Sequence, residues 1–173
     1  PRSRISLRRV AAILDEPGRE FWTVALCRAL RLRGDRGGAG PHCARLLHAD
    51  ADGFPGLVVD RYGGHLVYQA TTLWADHEAP DLVRELAGLA GTRTILARND
   101  PAVRELEGLA REVVPVEGRT PDELEVEEGG VRRIVDPWRG HKTGLYLDQQ
   151  ENHRQAHRWM DGRVLDLFSG EGG

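Results

Sequence analysis

The run GLVVDRYGGHLVYQATT, residues 56–72, places two alternating apolar arms on either side of Gly63-Gly64. Alternation on both sides of a glycine turn is typical of a β-hairpin. The next run, ADHEAPDLVRELAGLAG, has helical periodicity and is closed by Gly91. Its predicted buried face comprises Leu82, Val83, Leu86 and Leu89. A hairpin followed directly by an amphipathic helix predicts a compact α+β unit.

Further elements extend this unit on both sides. CARLLHA and RTILAR are predicted strands, and ELEVEEGGVRRIVD is a predicted hairpin around Gly129-Gly130. NDPAVRELEGLA is a predicted helix with Asp100 as N-cap and Pro101 at the first helical position. Upstream, RISLRRVAAI is a predicted strand and the stretch from Phe21 to Leu32 a predicted helix. The glycine-rich GDRGGAGPH is a flexible joint, where we place the first domain boundary.

Charge is distributed unevenly along the chain. Residues 1–45 contain ten arginines and four acidic residues, whereas residues 46–130 contain seven arginines and seventeen acidic residues. A basic stretch suits a surface that contacts phosphates, although a solvated arginine-rich face has the same composition. No apolar run approaches the ~20 residues of a membrane span. The two cysteines do not form a disulfide framework, which fits a reducing, cytoplasmic setting.

The last residues differ in character from the α+β unit. Val164–Phe168 has the apolar pattern of a buried strand, and the glycine-rich turn SGEGG follows it directly. Such a turn lets backbone amides approach a ligand, and it is typical of the start of a doubly wound α/β domain. The turn completes neither G-x-G-x-x-G nor a P-loop. It resembles instead the first motif of class I S-adenosylmethionine-dependent methyltransferases.

A second block strengthens this resemblance. GHKTGLYLDQQENHR closely resembles the G-[HQ]-K-T-G-[FY]-Y-L-D-Q-R signature of the RlmI-like enzymes, which methylate carbon 5 of a cytosine in large-subunit ribosomal RNA. RLLHADADGFPGLVVDRYGGHLV and RNDPAVRELEGL are similar to two further segments of that family. The four blocks cover roughly Arg45 to Gly173. One departure is Glu171, which stands where the family usually has threonine and alters the expected details of the glycine turn.

The resemblance implies a three-part α/β (α+β) protein. Residues 1–36 are then the end of a PUA-like β domain with a linker helix. Residues 43–136 are a central α+β RNA-binding domain, and residues 138–173 the beginning of a Rossmann-like methyltransferase domain with its first strand. Without sheet neighbours, this tail is expected to be poorly ordered or to pack opportunistically on the central domain.

The cofactor implied is S-adenosylmethionine, and the resemblance places its contacts in the last two blocks. The predicted cofactor-binding residues are Lys142, Thr143, Tyr146, Asp148, Gln149, Asp166, Phe168, Ser169, Gly170 and Gly172. Lys142 is the only lysine in the chain, and its compact ammonium suits a tight glycine-flanked turn near a carboxylate or phosphate. Tyr146 could stack on the cofactor or on a base, or be a half-buried core residue. Asp148 and Glu151 also have the spacing of an acidic capping box at a helix start.

Catalytic residues are not expected within this chain. Methylation of cytosine carbon 5 needs a cysteine thiolate that adds to carbon 6, together with acid–base help. Cys27 and Cys43 are predicted packing residues, so the nucleophile is expected downstream of Gly173. The predicted RNA-binding residues are Arg8, Arg9, Arg31 and Arg33. The pair His153 and His157 lacks a third metal ligand, and HADADG is predicted to be a turn rather than a calcium site.

The function predicted is therefore S-adenosylmethionine-dependent methylation of a ribosomal RNA cytosine, in a cytoplasmic protein of which this chain is an incomplete part. Two alternatives stay open: a non-catalytic RNA-binding module, and a guanine methyltransferase of the same fold group. Large-subunit ribosomal RNA is the expected partner. No membrane association is expected, and homodimer formation is left open.

Overall fold

The computed structural model describes residues 17–34, 42–128, 130–165 and 167, and contains a five-stranded mixed sheet in the order β1-β2-β3-β4-β5. Its strands are β1 Cys43–His48, β2 Leu57–Tyr62, β3 His65–Ala70, β4 Thr94–Asn99 and β5 Glu112–Glu117. Only β3 and β4 pair in parallel, because α2 (Leu73–Ala90) crosses over between them. The predicted mixed α/β class is confirmed, as is the β2–β3 hairpin at residues 63–64.

Two helices cover one face of the sheet. Helix α1 (Arg19–Leu32) packs on α2, with the Trp22 ring 5.0 Å from Trp74 and 5.4 Å from Phe54 between ring centroids. The Thr23 hydroxyl also donates to Glu85 Oε1 at 2.5 Å. Helix α1 therefore shares one hydrophobic core with the sheet, although the flexible joint predicted after it separates the two in sequence.

Helix α2 follows the predicted pattern except that it begins two residues before the predicted run and that Leu89 is not buried. It begins at Leu73, where the Thr72 side chain accepts a hydrogen bond from the Ala75 amide at 3.2 Å, and it ends at Gly91 with φ +66°. Leu82, Val83 and Leu86 are buried as predicted, but Leu89 is 44% exposed. Ala87 and Ala90 in the same last turn are buried, so Leu89 lies at the edge of the buried helix face rather than within it.

A second hydrophobic cluster lies on the opposite face of the sheet. Strands β6 (Leu124–Glu128) and β7 (Val131–Val135) form the second predicted hairpin, which is confirmed. The cluster combines Tyr62, Val67 and Leu96 from the sheet with Leu124, Val126 and Val135 from the hairpin, and with Cys43, Leu145 and Leu147. The segment after β7 is thus held against the sheet, which positions the site described below.

Between β4 and β6 one prediction was wrong in detail and one strand was missed. Ala102–Glu107 is a short 3₁₀ helix that begins after Pro101, and Pro101 itself has extended backbone angles. Strand β5 was not predicted, because Pro115 and the polar residues at its ends weaken the strand signal. Pro115 is tolerated in β5 because β5 is an edge strand of the sheet and pairs only with β4.

The predicted strand at Val164–Phe168 is absent from the described part of the chain. Val164, Leu165 and Leu167 are exposed and outside any strand. The physical reason is that no described strand lies beside this segment to complete its backbone hydrogen bonds. Among the residues described after β7, the helical elements are α3 (Gln150–Ala156) and short 3₁₀ turns at Leu147–Gln149 and His157–Trp159. The predicted strand near residue 5 lies outside the described residues.

Among the described helices, none has the length and apolarity needed to cross a membrane.

Candidate functional site

The segment of residues 140–149, called the 140–149 loop, runs over the second face of the sheet. A Cβ at Gly140 would lie 2.6 Å from the Asp136 carbonyl oxygen, and one at Gly144 would lie 2.5 Å from Val135 Cγ1. Between them Lys142 has φ +56°, a left-handed conformation that side chains rarely adopt. Tight backbone packing thus explains both glycines, and the surroundings hold Lys142 in a strained geometry.

A buried chain of hydrogen bonds fixes the middle of the loop to β2. The Thr143 side chain is fully buried, and its hydroxyl donates to Asp60 Oδ2 at 2.5 Å. Since that proton is used, the Tyr62 hydroxyl donates to Thr143 Oγ1 at 2.9 Å and accepts from the Leu145 amide at 2.9 Å. Arg45 completes the network with bonds of 2.8 and 2.9 Å to the two Asp60 oxygens.

The electrostatics of this network agree with the donor assignment. Burial, reinforced by the nearby Asp60 carboxylate, raises the pKa of the Tyr62 phenol well above its ordinary value, so the phenol keeps its proton. Burial alone would lower the pKa of Arg45, but the hydrogen bonds to Asp60 raise it on balance. The network therefore contains one buried ion pair, and both hydroxyls act as donors within it.

The entry to the loop is fixed by a second arginine. The Arg98 guanidinium, buried on β4, donates to the Pro137 carbonyl at 2.8 Å and to the Gly140 carbonyl at 3.0 Å, and pairs with Asp100 at 2.9 Å. Asp136 accepts from the backbone amides of residues 138 and 139 at 2.8 and 2.9 Å. Side chains thus satisfy both backbone carbonyls and backbone amides at the entry to the loop.

On its outer side the loop exposes a polar and aromatic cluster. Lys142 Nζ donates to both oxygens of Asp148, at 2.9 and 3.0 Å, and lies 4.4 Å from the centroid of the Tyr146 ring. The His141 ring lies 5.9 Å from the Tyr146 ring, tilted by 32°. Partial burial alone would raise the pKa of Asp148, but the hydrogen bond from Lys142 lowers it below its ordinary value.

The structure brings three of the predicted cofactor residues together. Lys142, Tyr146 and Asp148 share the exposed cluster, and the half-buried Gln149 follows, its side-chain oxygen accepting from Asn152 at 2.7 Å. Thr143 faces the opposite way, into the sheet, because its hydroxyl is used by the buried network. The other predicted cofactor residues, Asp166, Phe168, Ser169, Gly170 and Gly172, lie outside the described residues.

The predicted RNA-binding arginines differ in environment. Arg31 is exposed on α1. Arg33 is instead bonded within the chain, to the Arg45 carbonyl at 2.7 Å and to both Asp52 oxygens at 3.0 and 2.5 Å, so its guanidinium holds the turn Ala49–Asp52. These bonds engage the Arg33 guanidinium within the chain and so disfavour its predicted contact with RNA. Arg8 and Arg9 lie outside the described residues.

The cysteine environments do not favour a nucleophile. Cys43 packs in the second cluster and its Sγ donates to the Glu127 carbonyl at 3.4 Å. Burial, aided by Glu128, raises the pKa of this thiol to about 12, so the reactive thiolate is disfavoured. Its prediction as a packing residue is confirmed. Cys27 is half-buried on α1.

The anchoring residues were quoted in the sequence blocks but given no role. Asp60 and Tyr62 are two residues apart, so they lie on the same face of β2, the face of the second cluster. Two polar groups on one apolar strand face could have indicated a buried network. Their distant partner at position 143 could not be read from spacing.

Comparison with known proteins supports the resemblance. No protein-family model matches the chain. Over 131 residues it is 42% identical to ribosomal RNA large subunit methyltransferase I of Cronobacter sakazakii, covering 75% of this chain and 33% of the relative. The same-named proteins of Aeromonas hydrophila and Escherichia coli K12 are 42% and 39% identical, over 132 and 131 residues, with the same coverage. The resemblance to the RlmI-like family is confirmed, and the chain spans about a third of the length of these relatives.

Solved structures show the same fold. A putative S-adenosylmethionine-dependent methyltransferase from Streptococcus mutans matches with a TM-score of 0.66, and a putative methyltransferase complexed with SAH matches with 0.67. Each is 15% identical, and each match covers 84% of this chain and 37% of the other. At this identity the likeness concerns the fold alone.

Proposed function

We propose that this chain is part of an S-adenosylmethionine-dependent methyltransferase that modifies carbon 5 of a cytosine in large-subunit ribosomal RNA. One observation carries the proposal: three separate sequence blocks that resemble segments of the RlmI-like family meet at the 140–149 loop. Asp60 and Tyr62 from one block and Arg98 from another hold Thr143 and Gly140 of the third. Distant segments that converge on one exposed loop indicate that its conformation matters for function.

The exposed cluster suits the chemical groups of the proposed cofactor. S-adenosylmethionine carries a carboxylate, an ammonium and a sulfonium, and it supplies the methyl group when bound. The Lys142 ammonium complements a carboxylate, and the Asp148 carboxylate, kept ionised by Lys142, complements cationic groups. We assign Lys142, Asp148 and Gln149 to the cofactor side, with Asp166 and the glycine turn after it. Thr143 acts by positioning the loop.

The domain assignment follows from the same proposal. Residues 43–136 are the RNA-binding domain, residues 138–173 begin the Rossmann-like domain, and residues 1–36 combine a PUA-like remnant with α1. The packing of α1 in the sheet core supports docking of that segment on the RNA-binding domain. A ribosomal RNA substrate and two cysteines outside any disulfide support a cytoplasmic location.

The test uses the full-length product of the gene. Protein, tritiated S-adenosylmethionine and deproteinised large-subunit ribosomal RNA are incubated, and the modified nucleoside is identified by mass spectrometry. We expect 5-methylcytidine, with activity reduced in Asp148→Asn and retained in the control Arg132→Met, because Arg132 is exposed on the hairpin. A methylated guanine would favour the alternative base. RNA binding without methyl transfer would favour the non-catalytic module.

A further inference from the structure

The 140–149 loop holds an aromatic ring outward in a fixed position. Tyr146 is 45% exposed, whereas its neighbours Leu145 and Leu147 are buried in the second hydrophobic cluster. The Leu145 amide is also bonded to the Tyr62 hydroxyl. An exposed aromatic residue with both neighbours anchored loses little further conformational entropy when a ligand binds. This is the property of a preorganised contact.

A second ring and one cation lie beside Tyr146, and a further cation precedes the loop in sequence. The exposed His141 forms a tilted pair with it, and Lys142 Nζ lies near its ring. Arg139 is exposed just before the loop. With Asp148 as the only acid in residues 139–149, the segment carries one excess positive charge in a chain of net charge −3.

We propose that His141 and Tyr146 form a stacking platform for an unpaired base of the substrate RNA, with Arg139 near its phosphate. Tyrosine and histidine rings stack on unpaired bases, and a neighbouring cation contacts the backbone. The alternative is the adenine ring of the cofactor. The excess positive charge favours RNA, because RNA is a polyanion whereas S-adenosylmethionine carries a net positive charge. This inference rests on the function proposed above.

The test measures RNA and cofactor binding separately on the full-length protein. An RNA hairpin with 2-aminopurine in its loop reports stacking by fluorescence quenching. Binding of SAH (S-adenosylhomocysteine, the cofactor without its methyl group) is measured by calorimetry. We expect Tyr146→Leu to weaken RNA binding roughly 5- to 100-fold and to remove the quenching, as expected for one base stack. Tyr146→Trp should restore both. Trp159→Leu serves as the control, because it also removes an exposed aromatic ring, 87% exposed outside the loop.

Each outcome bears on the inference. Loss of SAH affinity in Tyr146→Leu with unchanged RNA affinity would place the ring on the cofactor and overturn the platform, while the proposed function would stand. Unchanged binding of both ligands, or an equal loss of RNA affinity in Trp159→Leu, would also overturn it. A wild-type protein that binds neither RNA nor SAH would instead refute the proposed function itself.

Discussion

Replacing Thr143 with valine tests whether the buried network holds the 140–149 loop. Valine has nearly the same shape as threonine but lacks the hydroxyl, so the change removes two hydrogen bonds and opens little cavity. Asp60 loses one of its donors, and Tyr62 loses its acceptor. A hydrogen bond to a charged group contributes about 1.5–3 kcal/mol and an unsatisfied buried hydroxyl costs about 1–3 kcal/mol. Allowing for partial relaxation, we expect Thr143→Val to lower the free energy of unfolding by roughly 2–4 kcal/mol.

The assay is urea denaturation of the 173-residue chain, followed by tryptophan fluorescence. The matched control is Thr143→Ser, which keeps the hydroxyl and loses one methyl group, at a cost of about 0.5–1.5 kcal/mol. Hydrogen exchange at the Leu145 amide should accelerate in the valine variant only, since that amide is bonded to Tyr62. If the valine variant is as stable as the serine variant, or lies within about 0.5 kcal/mol of the wild type, the hydroxyl does not anchor the loop and our reasoning fails.

Three further predictions concern the loop and its surroundings. Gly144→Ala should destabilise the fold by several kcal/mol in urea denaturation, because its Cβ would lie 2.5 Å from a valine side chain; at Gly108, where φ is also positive but the space is open, alanine should cost only about 1 kcal/mol. The carboxyl of Asp148 should titrate below its ordinary pKa by NMR and return toward it in Lys142→Met. A carboxyl whose pKa is lower in the folded than in the unfolded state stabilises the folded state at pH values above the unfolded pKa. This small stabilisation by Asp148 should be lost as the pH falls through the pKa of the folded state. A pKa of Asp148 at or above its ordinary value would contradict the prediction. Arg33→Met should lower the melting temperature without changing RNA affinity, and a loss of RNA affinity alone would return Arg33 to the binding surface.

Local sequence patterns predicted most of the fold because most elements are local. The β2–β3 hairpin, the β6–β7 hairpin and α2 each carry their turn or cap residues within the element. Strand β5 does not, since it is defined by pairing with a distant strand and contains Pro115. The same limit explains the segment from Val164: a strand pattern forms a strand only when neighbours complete its hydrogen bonds.

The candidate site was predictable in position but not in geometry. Motif resemblance identified the loop and its exposed residues Lys142, Tyr146 and Asp148. It could not show that Thr143 faces the sheet, because its partner Asp60 lies 83 residues earlier in the chain. Side-chain direction in an irregular loop depends on backbone angles such as φ +56° at Lys142, and no periodicity specifies these.

The buried network also links the two sides of the proposed enzyme. Asp60, Tyr62 and Arg98 belong to the sheet of the proposed RNA-binding domain, yet they set the conformation of a loop assigned to the methyltransferase domain. The orientation of the proposed cofactor and base contacts relative to that sheet is therefore fixed by a few buried hydrogen bonds. Loosening them should weaken ligand contacts on the exposed side even though no anchoring side chain faces it. Thr143→Val in the full-length protein should thus reduce SAH affinity more than Thr143→Ser does, and equal affinities in calorimetry would show that the loop holds its shape without the sheet.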